Sequence, residues 1–299
     1  MKEQFKGSIA LLTCTVIWGF AFIAQSVGMD LIGPFTFQMV RCLLAVAFLI
    51  PCSFVLDFGK CSMQVSYEKW KNPKLWKAGI LCGCALFVAS SLQQVGLVYT
   101  DAGKAGFITA MYIVLVPVLG LFLGKKVPKM AAFSVLLAVV GLYLLSCLGV
   151  TEVNIGDLLI MGCALAFAVQ ITCIDILAGD LDGVRLNCVQ ALVVAVLSLP
   201  FMAFTETVVV SSLLQCWLPL GFAGILSMGV AYTLQIQGQK DLEPTTASLI
   251  MSLESVFAVL GGWLVLHETM SATELLGCCL VFAAVILSQL PSKKTSEVR

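Results

Sequence analysis

One carboxylate, Glu254, stands inside the apolar stretch MSLESVFAVLGGWLVLHE at residues 251–268. It lies ten residues past Pro244, about 15 Å along a helix and so near the centre of a ~30 Å hydrocarbon layer. An ionised side chain at that depth costs roughly 2.5–3.5 kcal/mol on insertion scales and is read first as functional. Desolvation favours the neutral acid, so Glu254 could hold a proton and release it when its surroundings become wet, or meet a cationic group of a ligand. As a purely structural group it would bond to a neighbouring helix, a contact worth about 1 kcal/mol.

Other polar residues sit in comparable surroundings. Arg41 lies about 12 Å into an apolar run, where it could bind a carboxylate, pair with an acid or snorkel toward the surface. Lys104, in TDAGKAGF, opens another run where the helix dipole disfavours a cation, a place for an external gate, an anion contact or a solvated lysine. Ser90, Gln93 and Gln94 fall within one helical turn, and Tyr232 and Gln235 are three apart, so each group shares a face. Gln170 and Gln190 are weaker candidates of the same kind, and Trp18 could stack on a ligand or simply pack. The chain has a single histidine, His267, and no C-x-x-C pair, which leaves a metal almost no ligands. Most of the 13 cysteines lie in apolar runs, where cysteine behaves as a small hydrophobe.

The elements that must position these residues follow from composition. Sixty percent of the 299 residues are hydrophobic and 11% charged, with mean hydropathy +1.03. A soluble domain has roughly 45–50% apolar and 25% charged residues. Ten apolar runs of about membrane-spanning length recur, at roughly 7–27, 34–56, 75–98, 103–124, 130–149, 156–177, 186–205, 216–237, 245–266 and 272–290. Period-2 alternation is absent, which argues against a barrel. The reading is an all-α integral membrane protein. The first run is longer than a signal core and carries no A-x-A site, so it is kept as a span.

Net charge is zero, but the cations are distributed unevenly. With both termini cytoplasmic, Lys2, Lys6, Lys60, Lys69, Lys71, Lys74, Lys77, Lys125, Lys126, Lys129, Arg185, Lys240, Lys293, Lys294 and Arg299 all fall inside. Outside remains Lys104 alone. This asymmetry orients a multi-pass protein in the cytoplasmic membrane.

The chain also repeats itself. A shift of 142 residues brings Gln93 onto Gln235, Gly96 onto Gly238, Asp101 onto Glu243, Tyr112 onto Glu254 and Gly120 onto Gly262. Near the start of each half a shift of 149 sets Trp18 on Phe167, Phe37 on Leu186 and Pro51 on Pro200. The units are 1–149 and 150–299, five helices each; five is odd, so the second crosses the membrane upside down. Inverted repeats of this kind place a substrate site near the midplane between halves. There Tyr112 and Glu254 would face one another, while Gln93 and Gln235 line one interface from opposite halves. Pro117 is expected to interrupt the fourth helix, and Gly79, Gly83, Gly261 and Gly262 to permit close helix approach.

The stretches IWGFAFI, AGKAGFITAMYIVLVPVLGLFL and SLESVFAVLGGWLVLHE, with an arginine in the second helix, resemble the ten-helix EamA branch of the drug/metabolite transporter superfamily. The resemblance covers nearly the whole chain. It implies two EamA units, a central cavity lined from both halves, and transport of a small metabolite or drug, often outward. The chain departs from that pattern where the first unit would end its fourth helix in a glutamate like Glu268, because Lys125 and Lys126 stand there.

The expected function is a secondary transporter of a small polar metabolite, such as an amino acid or related amine or carboxylate, by alternating access. Its expected partners are that substrate, the bilayer and protons, with no cofactor, metal or nucleic acid. An intramembrane enzyme is disfavoured, since H-E-x-x-H, G-x-S-x-G and nucleotide-binding loops are missing and Glu254 has no obvious second acid. A receptor or structural subunit would leave the inverted repeat without a purpose.

Overall fold

The computed structural model describes residues 2–146, 154–265 and 271–289; His267, Glu268, Lys293, Lys294 and Arg299 lie outside them. Among the described residues the chain forms helices and no strand. Ten helices correspond to the ten apolar runs. They are α1 Lys2–Met29, α2 Pro34–Asp57, α3 Pro73–Gly96, α4 Ala102–Phe122, α5 Lys129–Ser146, α6 Ile155–Leu177, α7 Gly183–Thr205, α8 Trp217–Lys240, α9 Pro244–Val265 and α10 Ala272–Gln289. Among the described residues nine are long and apolar enough to span a membrane, and the described apolar part of α5 is slightly shorter. Short helices, Met63–Trp70 and Val210–Gln215, follow α2 and α7 in the two halves.

The helix starts are written locally. Pro34, Pro73 and Pro244 occupy the first turns of α2, α3 and α9, where a missing N–H costs nothing. Asn154 and Asp157 form a reciprocal capping box on α6, and Asp182 accepts from Arg185 N–H at 3.0 Å on α7. Outward-facing side chains such as Leu43, Ile50 and Val55 on α2 and Ile286 on α10 are apolar, as hydrocarbon requires.

The packing obeys the repeat. α2 lies along α7 and α5 along α10, each a pair that the pseudo-two-fold exchanges with itself. The α3–α6 contact has its counterpart in α8–α1, and α1–α9 in α6–α4. At one crossing the correspondence reaches single atoms. A methyl built on Gly156 would lie 2.8 Å from the Gly96 carbonyl oxygen, and one on Gly96 would meet Ile160. Equally, a methyl on Gly7 would lie 3.0 Å from the Gly238 oxygen, and one on Gly238 would meet Leu11. The 149- and 142-residue offsets convert one set of three residues into the other. Only glycine allows backbones this close.

Two features depart from the expected helices. The interruption of α4 lies at Met111, between Ala102–Ala110 and Tyr112–Phe122, and Pro117 sits inside the second segment. α9 breaks in the same place, at Ser252 and Leu253 before Glu254. At both breaks the ladder tightens to three-residue spacing: Met111 N–H donates to Ile108 O at 3.1 Å and Leu253 N–H to Ile250 O at 3.1 Å. Proline is absent near the α9 break, so it is not the shared cause. In α8, residues Phe222–Ala231 wind as a π-helix, where the corresponding part of α3 is α-helical. Buried Asn187 of α7 donates to Met228 O at 2.8 Å and to Gly229 O at 3.0 Å, satisfying carbonyls of that wider turn.

Arg185 also differs from its reading as a loop cation, because its side chain is 1% exposed. It reaches Asp57 Oδ2 at 2.8 Å, Asp182 Oδ2 at 2.7 Å and Ser66 Oγ at 2.8 Å. Three carboxylate and hydroxyl partners compensate for a guanidinium removed from water. The described cysteines are all free thiols, many of them buried.

Candidate functional site

At the centre of the bundle a small cavity collects side chains from seven helices of both halves. The first break delivers Tyr112 and the second Glu254, so each residue stands at the start of a half-helix. Both are buried. α1 contributes Trp18, whose ring meets Tyr232 of α8 edge-on at 4.8 Å. Gln93 comes from α3 and Gln235 from α8, the pair that the repeat equates.

Arg41 reaches this cavity from α2. Its guanidinium is held by amides: one nitrogen donates to Gln25 Oε1 and another to Gln38 Oε1 at 3.4 Å, with the Phe37 ring 5.8 Å away. Gln25 is fixed in turn by donating to Ala21 O at 3.1 Å, and Gln38 by donating to Ser91 Oγ at 2.8 Å. Neither Arg41 nor Glu254 has an ion-pair partner among the described residues. The cavity therefore holds a cation and an acid kept apart.

Several polar atoms here have no hydrogen-bond partner among the described residues. They are Trp18 Nε1, Arg41 Nε, Tyr112 Oη, Gln235 Oε1 and Glu254 Oε1. Leaving a buried polar group unpaired costs about 1–3 kcal/mol, and such groups gather where a ligand or water will satisfy them. Gln235 also heads a line of amides, its Nε2 donating to Gln170 Oε1 at 3.1 Å and Gln170 Nε2 to Gln190 Oε1 at 3.2 Å. That line leaves Gln235 Oε1, on a cavity-lining residue, without a partner among the described residues.

Three expected residues lie elsewhere. Ser90 donates to Leu86 O of its own helix at 2.6 Å, and Gln94, turned about 100° from Gln93, donates to Met29 Sδ at 3.0 Å. Lys104 pairs with Asp157 at 2.6 Å, near the face opposite the N-terminus. Conversely, Gln25, Phe167 and Ser227 line the cavity and were not picked out by sequence. Trp18, Ala21, Phe22 and Gln25 follow the three- and four-residue spacing of one helix face, a signal that would have led from Trp18 to Gln25. Ser227 lies within the π-helical segment, where the α-helical spacing gives no such signal.

The cavity measures about 30 Å³, room for on the order of two waters. A metabolite would need the bundle to loosen. A cleft of about 890 Å³ opens on the N-terminal face, between the ends of α4, α6 and α8. It reaches Ile174 and Gln239, one helical turn from the cavity residues Ile171 and Gln235. Gln239 Nε2 donates to Ile171 O at 3.1 Å and closes that turn.

Comparisons with known proteins agree with this architecture. The EamA-like transporter family matches residues 5–147 and 154–290, one copy per half. A transporter of Archaeoglobus fulgidus, itself uncharacterized, is 35% identical over 96% of this chain and 87% of its own length. The uncharacterized transporter YoaV of Bacillus subtilis is 23% identical over 95% of this chain and 96% of its own length. The threonine/homoserine exporter RhtA of Escherichia coli K12 is 32% identical over 55% of this chain and 56% of its own length. One crystal structure shares the fold, with a TM-score of 0.76 at 17% identity over 95% of this chain and 96% of that one. With two EamA copies in inverted five-helix repeats around a polar central cavity, this multi-pass chain belongs to the EamA-like transporters of the drug/metabolite transporter superfamily.

Proposed function

We propose that the protein is a secondary transporter that exports a small polar metabolite, an amino acid or related amine or carboxylate, across the cytoplasmic membrane. The units 1–149 and 150–299 rock against each other, exposing the central cavity to one face at a time. Both termini lie in the cytoplasm, on the lysine-rich side.

The observation that carries this reading is the convergence on one cavity of an acid and a cation that form no ion pair, with hydrogen-bonding atoms that have no partner among the described residues. Arg41, held by neutral amides, offers its charge to a substrate carboxylate. Glu254 offers an acceptor for an amine, and as a carboxyl in apolar surroundings it carries the coupling proton. Trp18 and Tyr232 supply aromatic walls, and Tyr112, Gln93 and Gln235 set the hydrogen-bond pattern. The exporter name of RhtA supports an outward direction and an amino-acid-like cargo.

The test is flux in proteoliposomes over a panel of amino acids, amines and carboxylates, with and without an imposed pH gradient. Wild type is expected to move at least one class of these faster down a proton gradient, and Glu254→Gln to lose that dependence. Wild-type rates and pH response in Glu254→Gln would make the acid structural.

A further inference from the structure

The two glycine crossings are the same joint at opposite faces, yet they are tied differently. At the N-terminal face Gly7 of α1 crosses Gly238 at the end of α8; at the opposite face Gly156 of α6 crosses Gly96 at the end of α3. At the second crossing four polar contacts are added. Lys104 Nζ lies 2.6 Å from Asp157 Oδ2, Thr100 Oγ1 donates to Asp157 Oδ1 and to Asn154 Oδ1, each at 2.9 Å, and Asn154 Nδ2 donates to Tyr99 O at 2.9 Å. The offsets carry these positions onto residues that cannot repeat them: Lys104 onto Thr246, Thr100 onto Leu242, Asp157 onto Ser8 and Asn154 onto Phe5. At the N-terminal face the buried Arg185–Asp57–Asp182 cluster ties α2 to α7, away from the α1–α8 crossing, and where α4 meets α6 the ion pair is Lys125–Asp175, its lysine 41% exposed at the rim of the wide cleft. Lys104 and Asp157 are 15% and 4% exposed. Screening by water weakens the first pair far more than the second.

We infer that Lys104 and Asp157, with Thr100 and Asn154, form a lock that holds the face opposite the termini closed, and that its lack of a counterpart makes the N-terminal face the one that opens at rest. This rests on the alternating-access reading above and adds a direction to it. Cargo is loaded from the side of the termini, and the lock must part before release on the other side. Asp157 suits the task because it is doubly committed: Oδ2 takes both Lys104 Nζ and the Asn154 N–H of the α6 capping box. Tilting α6 away from the start of α4 breaks the ion pair while the cap stays with its helix.

The experiment reads sidedness without any substrate. A cysteine replaces the cavity residue Ser227, and the protein is reconstituted in one orientation. A membrane-impermeant maleimide is applied from either face, and mass spectrometry of the peptide carrying position 227 gives the labelling rate. With the lock intact, labelling is expected to be several-fold faster from the N-terminal face. Asp157→Asn, which keeps an oxygen for the cap, and Lys104→Met should each raise the rate from the opposite face several-fold. Lys125→Met should not. Thermal unfolding confirms that each variant is folded, and Lys104→Met stands in if Asp157→Asn is not. An unchanged opposite-face rate in the folded variants overturns the lock, whatever the transport assays show; failure to find a substrate leaves the labelling result intact.

Discussion

Asp57 and Glu206 are the same position in the two repeats, 149 residues apart, and each carboxylate closes on the start of the other repeat's second helix. Asp57, at the end of α2, takes the guanidinium of Arg185 near the start of α7 at 2.8 Å. Glu206, just past α7, takes Phe35 N–H at 2.7 Å, Thr36 N–H at 2.8 Å and Thr36 Oγ1 at 2.7 Å at the start of α2. Thr36 and Arg185 are themselves 149 residues apart. One end of the α2–α7 pair is therefore clamped by an ion pair and the other by a helix N-terminus.

The two clamps should differ in strength. Asp57→Asn leaves a buried guanidinium with Asp182 as its remaining acid, at a cost of about 2–3 kcal/mol. Glu206→Gln keeps one acceptor oxygen on the α2 terminus and costs about 1 kcal/mol. Thermal unfolding in detergent should show the larger loss for Asp57→Asn; equal losses would mean that the ion pair adds nothing beyond a cap.

Arg41→Lys tests the proposed carboxylate contact. Lysine keeps the charge but loses the fork that two amides now orient. The half-saturation concentration for a carboxylate-bearing substrate should rise roughly tenfold, about 1.4 kcal/mol, while an amine lacking a carboxylate is moved as before. An equal effect on both kinds of substrate would assign Arg41 to structure.

Asn187→Leu removes the donor that satisfies Met228 O and Gly229 O. The expected cost is about 1–3 kcal/mol in thermal unfolding. Because Ser227 lines the cavity from within the π-helical segment, substrate selectivity should change with stability. Selectivity held at the wild-type pattern would separate the winding from the site.

Gly156→Val places branched carbon against the Gly96 carbonyl, where even a methyl would come within 2.8 Å. Overpacking of this kind costs roughly 1–3 kcal/mol and should lower the yield of folded protein. A fully stable Gly156→Val would show that the crossing has room to spread.

Much of this architecture is legible in the sequence because it is written in long patterns. Twenty-residue hydropathy fixes ten helices, and two offsets, 142 and 149, pair Tyr112 with Glu254 and Gln93 with Gln235 before any coordinates are known. Those four residues do meet at one cavity, with Trp18, Tyr232 and Arg41. What stays hidden depends on neighbours. Arg185 reads as a loop cation because nothing local announces that Asp57, 128 residues away, will bury it. The breaks at Met111 and Leu253 carry no proline, and the π-turn of α8 is supported by an asparagine on another helix. Gln94 shares a turn with Gln93, yet a rotation of about 100° sends it to Met29 instead.

The glycine crossings bear on how the cavity can change size. Two backbones that touch without side chains between them act as a fulcrum, since a tilt there asks no side chain to change rotamer. From Gly156 to Ile171 the lever is fifteen residues, about 22 Å, so a tilt of roughly 10° swings the cavity wall by roughly 4 Å. A pivot at one rim and a swing at the cavity wall would turn a space for two waters into one for a metabolite, while the crossing itself stays shut.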